Sequence, residues 1–207
     1  RGEDWMTRSF ESAPPVHAIG LFGIHPWGQP AVGRDLVAPP SYLRGGFTIG
    51  RPVRQATLYL ATLGWADMFL NSQRVNTDLF STAGIDRQQR PTYRAYDVTD
   101  QLVQGHNAWG AVLADGWYAG HGWGAKRNEW TKNPRLRAML HVEFDDGTTH
   151  VVATDRTWFV TQGPKRVADP LIGEDYDATR EVPRWTKADF FPQVAAAVDT
   201  GAKVAQP

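Results

Sequence analysis

The stretch Leu136-Arg-Ala-Met-Leu-His-Val-Glu-Phe144 decides the fold class, because it alternates between apolar and polar residues along its length. Successive side chains of a strand point to opposite sides, so the apolar residues share one face: Leu136, Ala138, Leu140 and Val142. The sequence Asp145-Asp-Gly147 follows, and Asp-Gly between two strand-like segments is a strong signal for a tight turn. The pattern therefore predicts an antiparallel hairpin that joins this strand to a second one over Thr148–Thr154.

Further segments have the composition of strands, with β-branched and aromatic residues between turns rich in Gly, Pro, Asn and Asp. They are Ser41–Ile49 (broken at Gly45-Gly46), Ala56–Ala61, Gly64–Asn71, Thr92–Val98, Trp109–Ala114, Trp158–Thr161 and Glu174–Thr179. Asn71-Ser72 is predicted to form a tight hairpin turn, because Asn tolerates a positive φ. Weak helical character is confined to Leu102-Val103 and Lys187–Val198. Without β-α-β alternation, the pattern predicts an all-β, antiparallel β-sandwich of the jelly-roll type.

Three regions are predicted from the distribution of proline and of small residues. Six of the fourteen prolines fall within residues 1–40, and proline removes a backbone donor and fixes φ. This region is predicted to be an extended segment, and its Trp5, Phe22 and Trp27 indicate that it packs on the body of the domain. Residues 41–186 are predicted to form the sandwich. The tail, 187–207, is predicted to be a linker, because its end is small, polar and unpatterned.

The composition excludes several classes of function. Lys and Arg total 22 and are matched by 22 Asp and Glu, so no long-range field would recruit nucleic acid or an anionic membrane. The absence of cysteine excludes disulfides, thiolate metal sites and a cysteine nucleophile. The apolar runs of the sequence are far too short to span a membrane. The compartment stays open between cytoplasm and export, and the N-terminal Arg-Gly-Glu-Asp indicates a mature form or a piece of a longer chain.

The stretch Ala114-Asp-Gly-Trp-Tyr-Ala-Gly-His-Gly-Trp-Gly124 is the candidate for binding. Its four glycines are expected to exclude a helix and to form a surface loop that another molecule can approach. Large aromatics beside polar side chains suit a sugar, whose ring has an apolar face and a rim of hydroxyls. The predicted ligand contacts in and after this stretch are Asp115, Trp117, His121, Trp123, Arg127 and Asn128. The alternative is that the tryptophans close the end of the sandwich core, which is the role expected of Trp130.

Catalytic and metal motifs are weak by comparison. The sequence has no Gly-x-Ser-x-Gly elbow, no phosphate-binding Gly-Lys-Ser/Thr loop and no dinucleotide fingerprint. The carboxylates that could serve a glycosidase are scattered among predicted turns, where acidic residues are ordinary. The histidines lack the spacing of a zinc site. Oxygen ligands for calcium occur in predicted loops, and turn capping is the competing explanation for them.

Several motifs between Tyr42 and Trp185 occur in a fixed order. They are Ala56-Thr-Leu-Tyr-Leu-Ala-Thr-Leu-Gly-Trp-Ala-Asp-Met-Phe-Leu-Asn-Ser-Gln-Arg-Val75, Tyr93–Asp100, Ala114–Gly120, Pro134–Leu140, Asp145–Thr148, Thr154–Trp158 and Gly173–Ala178. Each is weak alone, whereas the ordered set is specific. In this set the chain resembles the N-terminal-type domain of bacterial α-L-rhamnosidases, glycoside hydrolase family 78.

The resemblance implies a fold and a role. In that family this domain is a jelly-roll-type sandwich that precedes an (α/α)6 barrel with the catalytic acids, and in some members it holds L-rhamnose with a calcium ion. It thus implies a non-catalytic, accessory domain of an enzyme that hydrolyses terminal α-L-rhamnosyl residues, with the barrel and a rhamnose-containing carbohydrate as partners. The implied calcium ligands are Asp86 and Asp115, and Asp86 would also contact the sugar. The Asp86 loop, Thr82–Arg90, lacks the aromatics usual in the family, so a domain without any cofactor is the alternative.

Two other functions stay open from the sequence. The first is a purely structural module that supports a barrel, which predicts buried tryptophans and an apolar patch for the barrel to cover. The second is a small stand-alone carbohydrate-active protein, for instance a lyase or an esterase, because a fold does not determine function.

Overall fold

The structure, a computed structural model, describes residues 37–81, 92–122, 127–128 and 133–190, and the backbone of a short strand at 196–197. Within these residues there are twelve strands: β1 (Ser41–Ile49), β2 (Val53–Leu63), β3 (Trp65–Leu70), β4 (Gln73–Arg74), β5 (Tyr93–Asp97), β6 (Gly105–Ala114), β7 (Arg135–Phe144), β8 (Thr149–Ala153), β9 (Phe159–Gln162), β10 (Lys165–Asp169), β11 (Gly173–Tyr176) and β12 (Ala196–Ala197). One helical turn, α1 (Gly116–Ala119), follows β6, and 3₁₀ turns cover Thr99–Gln101 and Ala178–Arg180.

The strands form two large antiparallel sheets. The six-stranded sheet has the order β12-β9-β1-β6-β3-β4, and the four-stranded sheet has the order β5-β2-β7-β8. The chain passes from one sheet to the other between β1, β2 and β3, and again between β5, β6 and β7, as in jelly-roll sandwiches. Strands β10 and β11 form a separate hairpin. The predicted all-β antiparallel sandwich is therefore confirmed.

The core lies between the two large sheets. On the four-stranded sheet, every second residue of β2 and β7 is buried, including Leu58, Leu60 and Leu140. They pack against Met68 and Trp109 of the six-stranded sheet in one hydrophobic cluster. Full burial of each large apolar side chain stabilises the fold by roughly 1.5–3 kcal/mol. The alternation that predicted the β7–β8 hairpin thus marks the face that the core covers.

Strand β6 is buried on both faces, which fits its nearly continuous apolar sequence. Its inner face carries Trp109 and Ala111 into the core. Its outer face is covered by the segment 182–190, because Gly110 lies directly against the ring of Trp185. The six-stranded sheet is therefore the middle layer of this part of the domain.

Trp185 is held on that outer face by aromatic and polar contacts. Its ring makes edge contacts with Tyr42 and Phe69, at centroid distances of 5.3 and 5.8 Å. The guanidinium of Arg44 donates from Nε to the carbonyl of Trp185 at 2.7 Å, and from Nη2 to the carbonyl of Lys187 at 2.8 Å. These contacts fix residues 185–187 to β1 and β3.

The turns follow the predicted chemistry. Asn71 and Ser72 both have positive φ, 49° and 71°, as a two-residue hairpin turn of type I′ requires, and they connect β3 to β4. Gly147 has a φ of 80° in the turn between β7 and β8. Four Asp-x-Thr turns recur, in each of which the Asp Oδ1 accepts from both the backbone N–H and the hydroxyl of the Thr. The pairs are Asp97 and Thr99, Asp146 and Thr148, Asp155 and Thr157, and Asp177 and Thr179.

The structure differs from the sequence predictions at several points. The glycine-rich loop was expected to contain no helix, which is wrong for the single turn α1, where Gly116 enters with a φ of 54°. Gly45 and Gly46 do not break β1, because both keep their pairing with β6. At Gly45, Trp158 and Trp109 occupy the space where a side chain would be. Strand β10 has no counterpart among the predicted strands. In the described part of 187–198 the chain forms turns and β12, not the helix considered for it.

The proposed boundaries of the three regions stay predictions, since most of 1–40 and of 187–207 lies outside the described residues. None of the helices in the described ranges is long or apolar enough to cross a membrane.

Candidate functional site

A cleft of about 270 Å³ lies on the outer side of the six-stranded sheet, between β3 and β6 on one side and the β10–β11 hairpin on the other. Its lining mixes aromatic, aliphatic and charged side chains. The residues are Trp65, Ala66, Asp67, Leu79, Phe80, Val112, Ala114, Lys165, Ala168, Asp169, Gly173 and Glu174. A cleft of this size, with apolar walls and a few polar groups, suits one small ligand.

Aromatic rings form one wall of the cleft. The ring of Trp65 lies 4.6 Å from that of Phe80 and makes an edge contact with Trp117, with centroids 5.7 Å apart and planes at 87°. Phe80 is 53% exposed, so its ring is available to a ligand. Gly116 lets the loop approach Trp65, since a Cβ at Gly116 would lie 2.9 Å from the indole. The aromatic predicted as a sugar contact, Trp117, therefore supports the cleft wall through Trp65.

Charged groups line the hairpin side of the cleft and also strand β3. The Lys165 ammonium donates to Glu174 Oε2 at 2.7 Å, across the β10–β11 hairpin. The carboxylate of Asp67 accepts from Arg74 at 2.5 Å. Both carboxylates are partly exposed, so their remaining lone pairs can accept hydrogen bonds from ligand hydroxyls.

A buried hydrogen bond between His121 and Asp169 connects the loop after β6 to the hairpin. The His121 Nδ1 lies 2.8 Å from Asp169 Oδ2, and the backbone N–H of His121 donates to the same oxygen at 3.0 Å. The other carboxylate oxygen of Asp169 accepts from the backbone N–H groups of Leu171 and Ile172, at 2.9 and 3.2 Å. His121 is only 1% exposed, so in this conformation its ring contacts the protein interior and not a ligand in the cleft.

A second pair lies in the same loop. Arg127 donates to Asp115 Oδ2, and both side chains are largely buried. Burial raises the pKa of Asp115, and the field of Arg127 opposes that rise without cancelling it. Asn128 has a φ of 60°, and its N–H donates to the carbonyl of Ala119 at 3.1 Å, which closes the loop back on α1. The loop is thus stabilised from within by its polar residues.

The predicted ligand contacts divide into three groups. Asp115, His121 and Arg127 come together, but inside the loop, and Trp117 reaches the cleft through Trp65. Asn128 shapes the loop backbone. Asp86 and Trp123 lie outside the described residues, as does Trp130, and their roles stay predictions.

Sequence reasoning proposed none of the twelve residues that line the cleft as a ligand contact. Those that matter most to its chemistry are Trp65, Asp67, Phe80, Lys165, Asp169 and Glu174. The motif that contains Trp65 was recognised as a strand and as one of the motifs of the family resemblance, and not as a ligand contact. Lys165 and Glu174 become neighbours through the β10–β11 pairing, and β10 was not predicted.

The residues around Asp115 do not fit the calcium ion that the resemblance implies. The Asp115 carboxylate already accepts from a guanidinium, so a divalent cation at these oxygens would meet a like charge. Calcium also requires roughly six to eight oxygen ligands. Across the part of the chain that the structure describes, no three His, Asp or Glu side chains are grouped so that they could hold a metal. The other predicted ligand, Asp86, stays a prediction.

The sequence and the fold are similar to those of known proteins. The sequence model of the α-L-rhamnosidase N-terminal domain matches residues 51–205. An α-L-rhamnosidase of Streptomyces avermitilis is 33% identical over 199 residues, which are 95% of this chain and 19% of that protein. The crystal structure of Streptomyces avermitilis α-L-rhamnosidase complexed with L-rhamnose has a TM-score of 0.76 and 34% identity, over 85% of this chain and 17% of that one.

A native α-L-rhamnosidase from Aspergillus terreus gives the same TM-score of 0.76 with 31% identity, over 80% of this chain and 20% of that one. The chain therefore spans a fifth or less of each of these proteins.

Proposed function

The chain belongs to the family of α-L-rhamnosidase N-terminal domains, and we propose that it is an accessory, non-catalytic domain whose cleft binds an L-rhamnosyl group. The observation that carries the accessory role is the match over 95% of this chain to only 19% of a rhamnosidase. The rest of such an enzyme is large enough for a separate catalytic domain. The proposed partner within the same protein is an (α/α)6 barrel that hydrolyses terminal α-L-rhamnosyl residues.

The chemistry of the cleft supports the sugar part of the proposal. L-Rhamnose is a 6-deoxy sugar, so it has a methyl group and an apolar C–H face beside its hydroxyls. The rings of Trp65 and Phe80 offer flat apolar surfaces to that face. Lys165 and Glu174 supply a donor and an acceptor for the hydroxyls. A single small sugar held this way is expected to bind at about millimolar concentration, near −4 kcal/mol.

The loop after β6 has a supporting role in this proposal. Trp117 packs on Trp65, and the buried Asp115 and His121 hold the backbone that carries it. Asp86 and Trp123 are proposed as further sugar contacts, on the evidence of residue type and position in the sequence. Calcium is not required by the groups that line the cleft.

Titration of the chain with L-rhamnose tests the binding, by calorimetry and by amide chemical shifts. L-Mannose is the matched control ligand, because it differs only in a hydroxyl at the methyl position. We expect millimolar binding of L-rhamnose, weaker binding of L-mannose, and loss of both in Trp65→Ala and Phe80→Ala. The titration is repeated with excess calcium and with a chelator, and equal affinities are expected. Absence of binding at tens of millimolar L-rhamnose would remove the sugar role and leave the accessory role.

A structural role without sugar binding is the second candidate, and the exposure of Leu79 favours it. Leu79 is 85% exposed at the edge of the cleft, beside Phe80. Such a pair suits a surface that another domain of the same protein covers. If the domain has this role, Leu79→Ser should improve the solubility of the isolated chain. Neither the wild type nor this variant should then bind L-rhamnose. The same chain should not hydrolyse aryl α-L-rhamnosides, and turnover would instead favour a stand-alone enzyme.

A further inference from the structure

We propose that Asp169 is a positioning residue for the candidate sugar site, because its buried carboxylate fixes the β10–β11 hairpin to the loop after β6 and so sets the shape of the cleft. The inference rests on the sugar-binding role proposed above. Asp169 lines the cleft at its base, 48 residues away in sequence from the loop that it binds.

The carboxylate of Asp169 has all of its acceptor positions directed at backbone or ring donors. Oδ2 accepts from the N–H of His121 and from its Nδ1, whereas Oδ1 accepts from the N–H groups of Leu171 and Ile172. The side chains of His121 and Asp169 are 1% and 0% exposed. A hydrogen bond to a charged group in such a place contributes more than a neutral one on the surface. One side chain therefore joins two segments that form no sheet together.

The hairpin has few other attachments to the sandwich among the described residues. It pairs with neither large sheet, so its position depends on side-chain contacts at its two ends. At the Lys165 end, Gly163 packs against the ring of Tyr42, which also makes a hydrogen bond with the backbone of Lys165. At the other end, where the chain turns from β10 to β11, the contact is Asp169 with His121. Loss of this contact would leave that end of the hairpin with packing alone, such as that of Pro170 beside Gly120.

Gly120 shows how closely the loop approaches the carboxylate. A Cβ at this position would lie 2.8 Å from Asp169 Oδ2 and 2.5 Å from the carbonyl oxygen of Gly116. The backbone can therefore reach Asp169 only with glycine at 120. The close approach of the loop at Gly120 is thus a condition for the His121–Asp169 hydrogen bond.

The hydrogen bonds also specify the tautomer of His121. Both carboxylate oxygens of Asp169 accept from backbone N–H groups, so Oδ2 also acts as an acceptor towards the ring. Nδ1 must then carry a proton. A ring with a proton on Nδ1 differs from the form in which Nε2 alone is protonated, and ¹⁵N spectroscopy distinguishes the two.

Three variants and one control test the proposal. Asp169→Asn removes an acceptor, His121→Leu removes the ring donor, and His121→Asn keeps a donor near the position of Nδ1. Val142→Ala, in the core below the four-stranded sheet, is the control for general destabilisation. The measurements are the dissociation constant for L-rhamnose, the amide shifts of Ala168, Gly173 and Glu174, and the ¹⁵N shifts of the His121 ring.

We expect Asp169→Asn and His121→Leu to weaken L-rhamnose binding by about tenfold or more, and to shift the three cleft amides. His121→Asn should restore most of the affinity, and Val142→Ala should leave the affinity and the amide shifts unchanged at a comparable loss of thermal stability. Wild-type affinity and unshifted cleft amides in Asp169→Asn and His121→Leu would overturn the proposal, as would an Nε2–H tautomer of His121 in the wild type.

If the wild type binds no L-rhamnose, the proposed sugar binding is wrong, whatever the role of Asp169. The amide shifts of the hairpin in His121→Leu and His121→Asn then decide the positioning role on their own, since they require no ligand.

Discussion

Gly110 lies so close beneath the indole of Trp185 that a Cβ on Gly110 would meet Cζ3 of that ring at 2.5 Å. Only a strand without a side chain at this position leaves room for the ring, which in turn covers the outer face of β6. Gly110→Ala must therefore displace Trp185 or strain the strand, and we expect the free energy of unfolding to fall by about 1–3 kcal/mol. Chemical denaturation measures this change.

Gly46→Ala is the matched control, because it also adds a methyl group to a strand of the same sheet. A Cβ at Gly46 would meet only the carbonyl oxygen of Asn107, at an ordinary 3.7 Å. We expect this variant to be neutral or slightly more stable than the wild type. Equal effects of the two substitutions would contradict a close contact between Gly110 and Trp185.

The raised pKa of Asp115 predicts a pH dependence of stability. Its cause is burial, which disfavours the charged carboxylate, and the folded pKa lies above the ordinary 3.8. The folded state then binds more protons than the unfolded state between pH 3.8 and the folded pKa. The stabilisation that results is fully present at low pH and is lost as pH rises through that range. Asp115→Asn should remove this contribution. A slope of unfolding free energy against pH that is the same in both proteins would be the contrary result.

The Asp-x-Thr turns give the stability the opposite dependence on pH. The hydroxyl of Thr179 donates to Asp177, which lowers the pKa of Asp177, helped by the backbone N–H of Thr179 and by Arg180. A lowered folded pKa gives stability that is present above the unfolded pKa and is lost as pH falls through the folded one. Thr179→Val should move the pKa of Asp177 up towards its ordinary value in a carboxyl NMR titration. Thr161→Val, whose hydroxyl donates to a backbone carbonyl, should leave it in place.

The Lys165–Glu174 pair should matter more for ligand binding than for stability. Both side chains are partly exposed, and exposed ion pairs contribute about 0–1 kcal/mol. Glu174→Gln should therefore change the unfolding free energy by less than about 1 kcal/mol, while it weakens L-rhamnose binding several-fold. Glu143→Gln breaks a similar pair, with Arg54 on the four-stranded sheet, and should leave the binding unchanged. Equal affinities in all three proteins would remove Glu174 from the site.

The architecture could be predicted from the sequence where one face of a strand is buried and the other is exposed. In β7 the alternation of Ala138, Leu140 and Val142 with exposed residues follows directly from that arrangement. The turn at Asn71-Ser72 could be predicted because few residue pairs tolerate positive φ at two successive positions. Strand β10 was not, because Lys165-Arg-Val-Ala-Asp169 pairs with a single strand and has little apolar pattern of its own.

The candidate site was harder to predict because its polar residues are used in two ways that the sequence does not distinguish. Asp115 and His121 have the side chains of ligand contacts, yet they bond to partners within the protein. The partner of His121 is Asp169, and nothing local to either residue indicates their pairing. The aromatic wall depends in the same way on Trp65 and Trp117, which only the fold brings together.

Strand β12 limits how far the domain can be truncated at its C-terminal end. Ala196 and Ala197 pair with Val160 and Phe159, so they occupy the open edge of β9. A fragment that ended at residue 190 would present that edge, with the half-exposed ring of Phe159, as a template for strands of other molecules. We therefore expect a shortened version that keeps the two alanines to self-associate less than one that ends at residue 190.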